Sequence, residues 1–212
     1  MRLAKRSRRI LTAAGAAGLL LLATACGPVL AGSAAVIGKH RITDEALASQ
    51  ITAVTEPLRV PESQSVSAAI LNRMITQQLV FDLAAKHQVS VSSEEVQSFI
   101  DEQVALMGGD REAFEQGLLR RGIPASEINN TAKATLLVAK LGPVLAPGQG
   151  AEGQELATVL AVAELSKQLD TRVSPRFGIW DPEQLQVIAT PDDLSTPAPR
   201  RDVESLRGAQ VR

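Results

Sequence analysis

Between residues 65 and 87 the apolar side chains Ile70, Leu71, Met74, Ile75, Leu79 and Leu83 recur at the three- and four-residue spacing of one helix face. A stripe of that length has to be covered, so the remaining segments must supply a layer that lies on it. Asn72, Arg73, Thr76 and Gln77 fall on the opposite face, where water is expected. The only aromatic residues are four Phe and one Trp, with no Tyr, so a core of Leu, Ile, Val and Ala is expected, which favours packed helices.

More helices flank this one. Thr43 is an expected N-cap, with Asp44 and Glu45 in the first turn where the helix dipole favours acids, and Leu47, Ile51 and Val54 carry a stripe up to a break at Pro57. Ser92-Ser93-Glu94-Glu95 reads as a capping box opening a helix with Val96, Phe99, Ile100 and Val104 that stops at Gly108-Gly109. Asp110 caps a short helix bearing Phe114 and Leu118, ended by Gly122. The next helix starts near residues 124–126, carries Ile128, Ala132, Leu136 and Ala139, and is expected to end at Gly142-Pro143. Residues 152–169 make a last helix whose stripe is Leu156, Val159, Leu160, Ala163 and Leu169.

At residue 172 the period changes to two. Residues 172–180 read as extended chain, Asp181-Pro182-Glu183 as a turn, and Leu185-Gln186-Val187-Ile188 as a returning strand. A lone hairpin is barely stable in water. Val36-Ile37-Gly38-Lys39-His40-Arg41-Ile42 is the one other strand candidate, so the two ends of the domain are expected to meet in a small sheet. Residues 190–212, rich in Pro, Asp, Ser and Arg without apolar periodicity, are an expected disordered tail.

Residues 1–25 have the layout of an export signal: Arg2, Lys5, Arg6, Arg8 and Arg9, then an uncharged run of 16 residues from Ile10 to Ala25. That run is short of the ~20 residues of a spanning helix. Leu22-Ala23-Thr24-Ala25-Cys26 resembles the lipobox of bacterial lipoproteins, which implies that Cys26 is acylated and becomes the first residue of the mature chain. Residues 26–33 are then a tether, and the expected location is the outer face of the cytoplasmic membrane. The whole chain holds 22 Lys and Arg against 23 Asp and Glu; the leader accounts for five of the basic ones, leaving 17 and a balance near −6. An acidic balance argues against nucleic acid as a partner, and a single cysteine excludes disulfides and thiolate metal sites.

Leu71-Asn72-Arg73-Met74-Ile75-Thr76-Gln77-Gln78-Leu79, followed by Ala84-Ala85-Lys86-His87-Gln88-Val89-Ser90-Val91-Ser92-Ser93-Glu94-Glu95-Val96, resembles the N-terminal chaperone domain of the SurA and PrsA class of extracytoplasmic folding factors. Ala35-Val36-Ile37-Gly38 with Ile42-Thr43 is similar to the opening strand of that class, with Ile37 where Asn commonly precedes the glycine. Ser174-Pro175-Arg176-Phe177-Gly178-Ile179-Trp180-Asp181 is similar to the closing segment of lipid-anchored members from high-GC Gram-positive bacteria, so the resemblance covers residues 34–189. It implies a mainly α, multi-helix SurA-like domain with a small β-sheet from its N- and C-terminal segments. In larger relatives a parvulin-type prolyl isomerase domain stands between the helical part and the last helix. The corresponding gap here, residues 142–151, is about ten residues, and an independent domain needs ~50 or more. The resemblance therefore implies a chaperone module without its isomerase: a non-enzymatic holdase for unfolded or newly exported polypeptides.

Other chemistry finds little support. Gly148-Gln149-Gly150-Ala151-Glu152-Gly153 spells a dinucleotide fingerprint, but Pro147 precedes it where a strand is required, so no nucleotide or other cofactor is expected. His40 and His87 are the only histidines and have no partners marking a catalytic triad or a metal site. Glu94 and Glu95 are neighbours on a helix and point apart. Met74, Met107, Phe99 and Phe114 are the candidate client-binding residues, because Met-rich apolar surfaces bind adaptably. Met74, inside the long stripe, fits a core role better; Met107 and Phe114, beside Gly108-Gly109, fit either role equally. Two rival readings stay open: an adaptor for one dedicated envelope partner, and a prolyl isomerase.

Overall fold

The computed structural model of the chain describes residues 30–188. The expected signal peptide, Cys26 and the expected tail from residue 190 lie outside the described residues. In order, the elements are β1 (Ser33–Ile37), β2 (His40–Thr43), α1 (Asp44–Leu58), α2 (Gln64–Lys86), α3 (Ser93–Leu106), α4 (Arg111–Leu119), a 3-10 turn (Ala125–Glu127), α5 (Ile128–Leu145), α6 (Ala151–Gln168), β3 (Arg172–Val173), β4 (Ile179–Asp181) and β5 (Gln186–Ile188). β1 begins at Ser33, the last residue assigned to the tether from sequence.

Side-chain caps set where four of the helices start. Thr43, Ser63, Ser92 and Asp110 each accept a backbone N–H of the first turn, and Ser92 with Glu95 completes the capping box. Two helix ends differ from expectation. α1 continues through Pro57 to Leu58, and α5 continues through Gly142 and Pro143 to Leu145. A proline near the C-terminus removes only its own N–H bond, and Leu58 and Leu145 both pack on the main core and hold those last turns in place.

α2 is the central element. It meets α1, α5 and α6, together with β1 and β5. Leu71, Ile75, Leu79 and Leu83 form the middle of the main core, with Leu47 and Ile51 of α1, Leu141 of α5 and Val162 of α6 around them. The opposite face of α2, expected in water, is covered as well: the Arg73 side chain is only 14% exposed. A second, smaller cluster joins Val96 and Ile100 of α3, Phe114 of α4, and Ile128 and Ala132 of α5. α5 therefore serves two cores. Ile128, Ala132 and Leu136 belong to the small one, whereas Leu137 and Leu141 face the large one and Ala139 is exposed.

The ends of the domain meet in a small sheet as expected, and the last two strands form a ladder of their own beside it. β1 is central in a three-stranded antiparallel sheet of order β2-β1-β3, with Ala35 opposite Val173. Gly38 makes the β1–β2 turn at a φ of 54°, and a Cβ there would lie 3.1 Å from Leu169 Cδ2, so the turn packs directly onto the end of α6. After β3 the chain leaves the sheet through a turn in which Phe177 N–H donates to the Ser174 carbonyl. β4 and β5 then pair only with each other. This hairpin is held by helices instead of a third strand. Trp180 is buried and its Nε1–H donates to Ser166 Oγ at 2.7 Å, and Val187 N–H donates to Asn72 Oδ1 at 3.0 Å. Gly178 allows the hairpin to close: a Cβ would stand 2.3 Å from the Ile188 carbonyl oxygen.

Of the stripe expected on α6, Ala163 is buried and Leu169 packs on the main core, but the first half of the helix buries a different side. Leu156 and Leu160 are 58% and 60% exposed and Val159 is also exposed, whereas Thr158, Val162, Leu165 and Ser166 are buried. The reason is how closely α5 and α6 approach: a Cβ at Gly142 would come within 2.9 Å of Gln154 Cβ. Small and hydroxyl-bearing residues suit such a contact, and Thr158 Oγ1 satisfies itself on the Gln154 carbonyl at 2.9 Å.

Candidate polypeptide-binding groove

The small cluster is open on one side. α3, α4, the turn after α4 and the first half of α5 enclose a groove of about 640 Å³. Phe99, Ile100, Phe114, Leu118, Ile128 and Ala132 make its apolar floor and walls. Met107 and Leu106 form one lip at the end of α3; Leu106 is 80% exposed and Met107 50%. The Gly108-Gly109 break turns the chain just beyond them, both glycines having positive φ. Gly117 on α4 leaves room for Met107, whose Cε would be 3.8 Å from a Cβ placed there. Arg120 and Arg121, both exposed, line the groove at the end of α4.

A second compartment of about 440 Å³ adjoins the first. Ile123, Thr131 and Thr135 line both, so the two form one trough that crosses α5 and reaches α2. Its far wall is the polar side of α2: Asn72, Arg73, Thr76 and Gln77. There Arg73 donates to Glu127 Oε2 at 3.4 Å and to Gln50 Oε1 at 2.9 Å, and Gln50 in turn donates to Glu127 Oε1 at 2.9 Å. This network ties α1, α2 and the start of α5 together behind the trough. Burial lowers the Arg73 pKa from its ordinary value, and the Glu127 carboxylate opposes that shift by Coulomb attraction and hydrogen bonding. Arg73 Nε and Thr76 Oγ1 are buried without a protein hydrogen-bond partner.

Three of the four apolar candidates, Phe99, Met107 and Phe114, therefore come together on one groove, with Phe114 in the floor at 8% exposure. Met74 does not join them; it packs, half-buried, against the main core. Sequence reasoning missed Leu106, Ile123 and the two arginines. Leu106 and Met107 end α3 just before paired glycines, and an apolar pair at such a helix end is a usable signal. Arg120-Arg121 carries none by itself.

The remaining polar clusters are structural. Lys140 bridges Glu95 and the Ser90 carbonyl, tying α5 to the N-terminus of α3. That hydrogen bond, with the one from Ser92 N–H, holds the Glu95 pKa below the ordinary carboxylate value. His40 Nε2 lies 3.3 Å from Asp82 Oδ1 on the surface. Among the described residues no three His, Cys, Asp or Glu side chains gather as metal ligands, and no helix is long and apolar enough to cross a membrane. The glycine-rich segment links α5 to α6, so a helix stands before it where a dinucleotide site would need a strand.

The family model for the SurA-like N-terminal domain matches residues 5–142. The chain belongs to the SurA-like N-terminal domain family. That family is of chaperone type, and its small terminal sheets on a helical body are the architecture described above. The match ends in the last part of α5, so α6 and β3–β5 are contributed from beyond it. No curated protein and no solved structure matches the chain. Residues 146–150 alone join α5 to α6 in this SurA-like domain, and no further domain stands between those helices.

Proposed function

We propose that this SurA-like protein is a holdase: it binds exposed apolar segments of unfolded or newly exported polypeptides in the trough between α3, α4 and α5, without nucleotide, metal or isomerase chemistry. The observation that carries the reading is the open small core. Most small cores close on themselves, but this one leaves Leu106 and Met107 in water beside an apolar floor. A flexible methionine at the lip and a trough that continues onto polar groups suit a client of variable sequence better than a fixed small molecule. We further propose that Cys26 carries the lipid that tethers the domain to the outer face of the cytoplasmic membrane, as its lipobox-like surroundings support.

The test is suppression of aggregation of a reduced, unfolded protein by purified residues 27–212, scored against equimolar albumin. Suppression at near-stoichiometric ratio is expected. Absence of suppression, with one stoichiometric envelope partner recovered by crosslinking, would favour the adaptor reading instead. A proline-peptide assay separates the third reading, and no rate above the uncatalysed isomerisation is expected.

A further inference from the structure

The two lips of the groove differ in character. At the end of α3 the exposed lining is apolar, Leu106 and Met107; at the end of α4 it is Arg120 and Arg121. No acidic residue lines either lip or the floor, and neither arginine makes an ion pair among the described residues. By contrast, Arg111 on the same helix is paired with Asp101 and Glu115, and Lys140 behind the cluster is paired with Glu95. Two guanidinium groups without an ion pair beside an apolar floor that no carboxylate lines make a local positive patch.

We infer that the groove prefers polypeptide segments in which an acidic residue flanks an apolar or aromatic stretch, the apolar side chains lying on Phe99 and Phe114 and the carboxylate meeting Arg120 and Arg121. This rests on the holdase reading of the groove and adds a sequence preference to it. Arginine suits the role because its planar fork takes a carboxylate bidentately and remains charged at every physiological pH. A basic flank would meet like charge at the same lip. Because both arginines are exposed, the preference is modest and sensitive to salt.

The experiment uses the full chain in nanodiscs of neutral phosphatidylcholine and three fluorescent peptides with one shared apolar centre, flanked by aspartate, asparagine or lysine. Anisotropy titrations are expected to rank them aspartate, asparagine, lysine. The aspartate peptide should bind about three- to tenfold tighter than the asparagine one at low salt, and less than about twofold tighter at ~0.5 M salt. In the Arg120→Gln, Arg121→Gln double variant, checked for an unchanged thermal melt, the aspartate and asparagine peptides should bind alike. Equal binding of all three peptides by the parent chain would overturn the acidic preference and leave the groove reading standing. A preference that survives in the double variant would overturn its assignment to these arginines. No binding of any peptide would remove the groove reading itself. An affinity that rises for the aspartate peptide alone when residues 190–212 are deleted would give the arginines of the parent chain to its own Asp192-Asp193 instead. Affinities that fall as protein concentration rises would give the groove to a second copy of the chain.

Discussion

Replacing Leu106 and Met107 together by alanine separates binding from folding at this groove. Full burial of a Leu or Met side chain stabilises by about 1.5–3 kcal/mol. Met107 is 50% exposed in the free protein, so a client that covers it recovers about half of that, roughly 0.8–1.5 kcal/mol. Leu106, at 80%, has about 1.2–2.4 kcal/mol available. Ordering a mobile client offsets part of both, so the lower ends are the working values, and their sum corresponds to a loss of affinity of about thirtyfold. The buried half of Met107 and the buried fifth of Leu106 are what the folded state loses, about 1–2 kcal/mol together, well short of the cost of emptying the floor. Phe114→Ala is the contrast: at 8% exposure it removes part of the small core and costs about 3–5 kcal/mol. The assay pairs an anisotropy titration of an unfolded reporter with a urea melt of each variant. Unchanged affinity in the double variant would refute the groove as the binding surface. Lost affinity accompanied by a collapsed melt would place the two residues in the core and refute the partition between lip and floor.

Other consequences can be measured separately. Trp180→Phe removes the hydrogen bond to buried Ser166, and should cost about 1–3 kcal/mol and lower Tm by several degrees; a Ser166→Ala, Trp180→Phe cycle showing no coupling would mean the bond does not pin the hairpin. Arg73→Ala leaves Glu127 and Gln50 without their shared donor behind the trough, and should cost about 2–4 kcal/mol in a urea melt; a change under about 0.5 kcal/mol would show the network to be dispensable. Glu95, with its pKa held down by Lys140 and Ser92, contributes stability that is present above the unfolded carboxylate value near ~4.3 and is lost as pH falls through the lower folded value. Glu95→Gln should therefore flatten the acid limb of Tm against pH between about 5 and 3, and an unaltered limb would count against the assignment.

How much of this fold could be read from the sequence depends on whether local chemistry or tertiary packing decides a feature. Starts of helices are local. Thr43, Ser92 and Asp110 cap as their side chains dictate, and paired glycines end α3 where expected. Helix ends near proline are not local: contacts of Leu58 and Leu145 with the main core carry α1 and α5 past Pro57 and Pro143. The face that α6 buries is also a tertiary matter. It has apolar residues on two sides, and counting them favours Leu156 and Leu160, but the close approach at Gly142 admits only the side bearing Thr158, Val162 and Ser166. Strand pairing followed the same division. That the chain ends would meet was legible from the shortage of partners; that β3 would join β1 while β4 and β5 paired apart was set by the Ser174–Phe177 turn and the Trp180–Ser166 bond, neither of which has a periodic signature.

The site divides along the same line. That Met107 and Phe114 would lie near one another could be anticipated from their places on either side of the Gly108-Gly109 break, whereas that Phe99 lines the same groove depends on how α3 packs on α5. Arg73 was misplaced because helical periodicity describes one face at a time, and α2 is covered on several. Yet the Arg73–Glu127–Gln50 network is the main polar tie between α1, α2 and the start of α5 beside the small cluster. It joins α1 and α2 to the residue that starts α5, fixing the helix whose other face carries Ile128 and Ala132 at the groove floor. Directional hydrogen bonds from a planar guanidinium add to apolar packing a constraint on where α5 starts relative to α1 and α2. On the holdase reading proposed above, the polar residues beside the groove would hold its shape while the apolar ones at its lip meet a client.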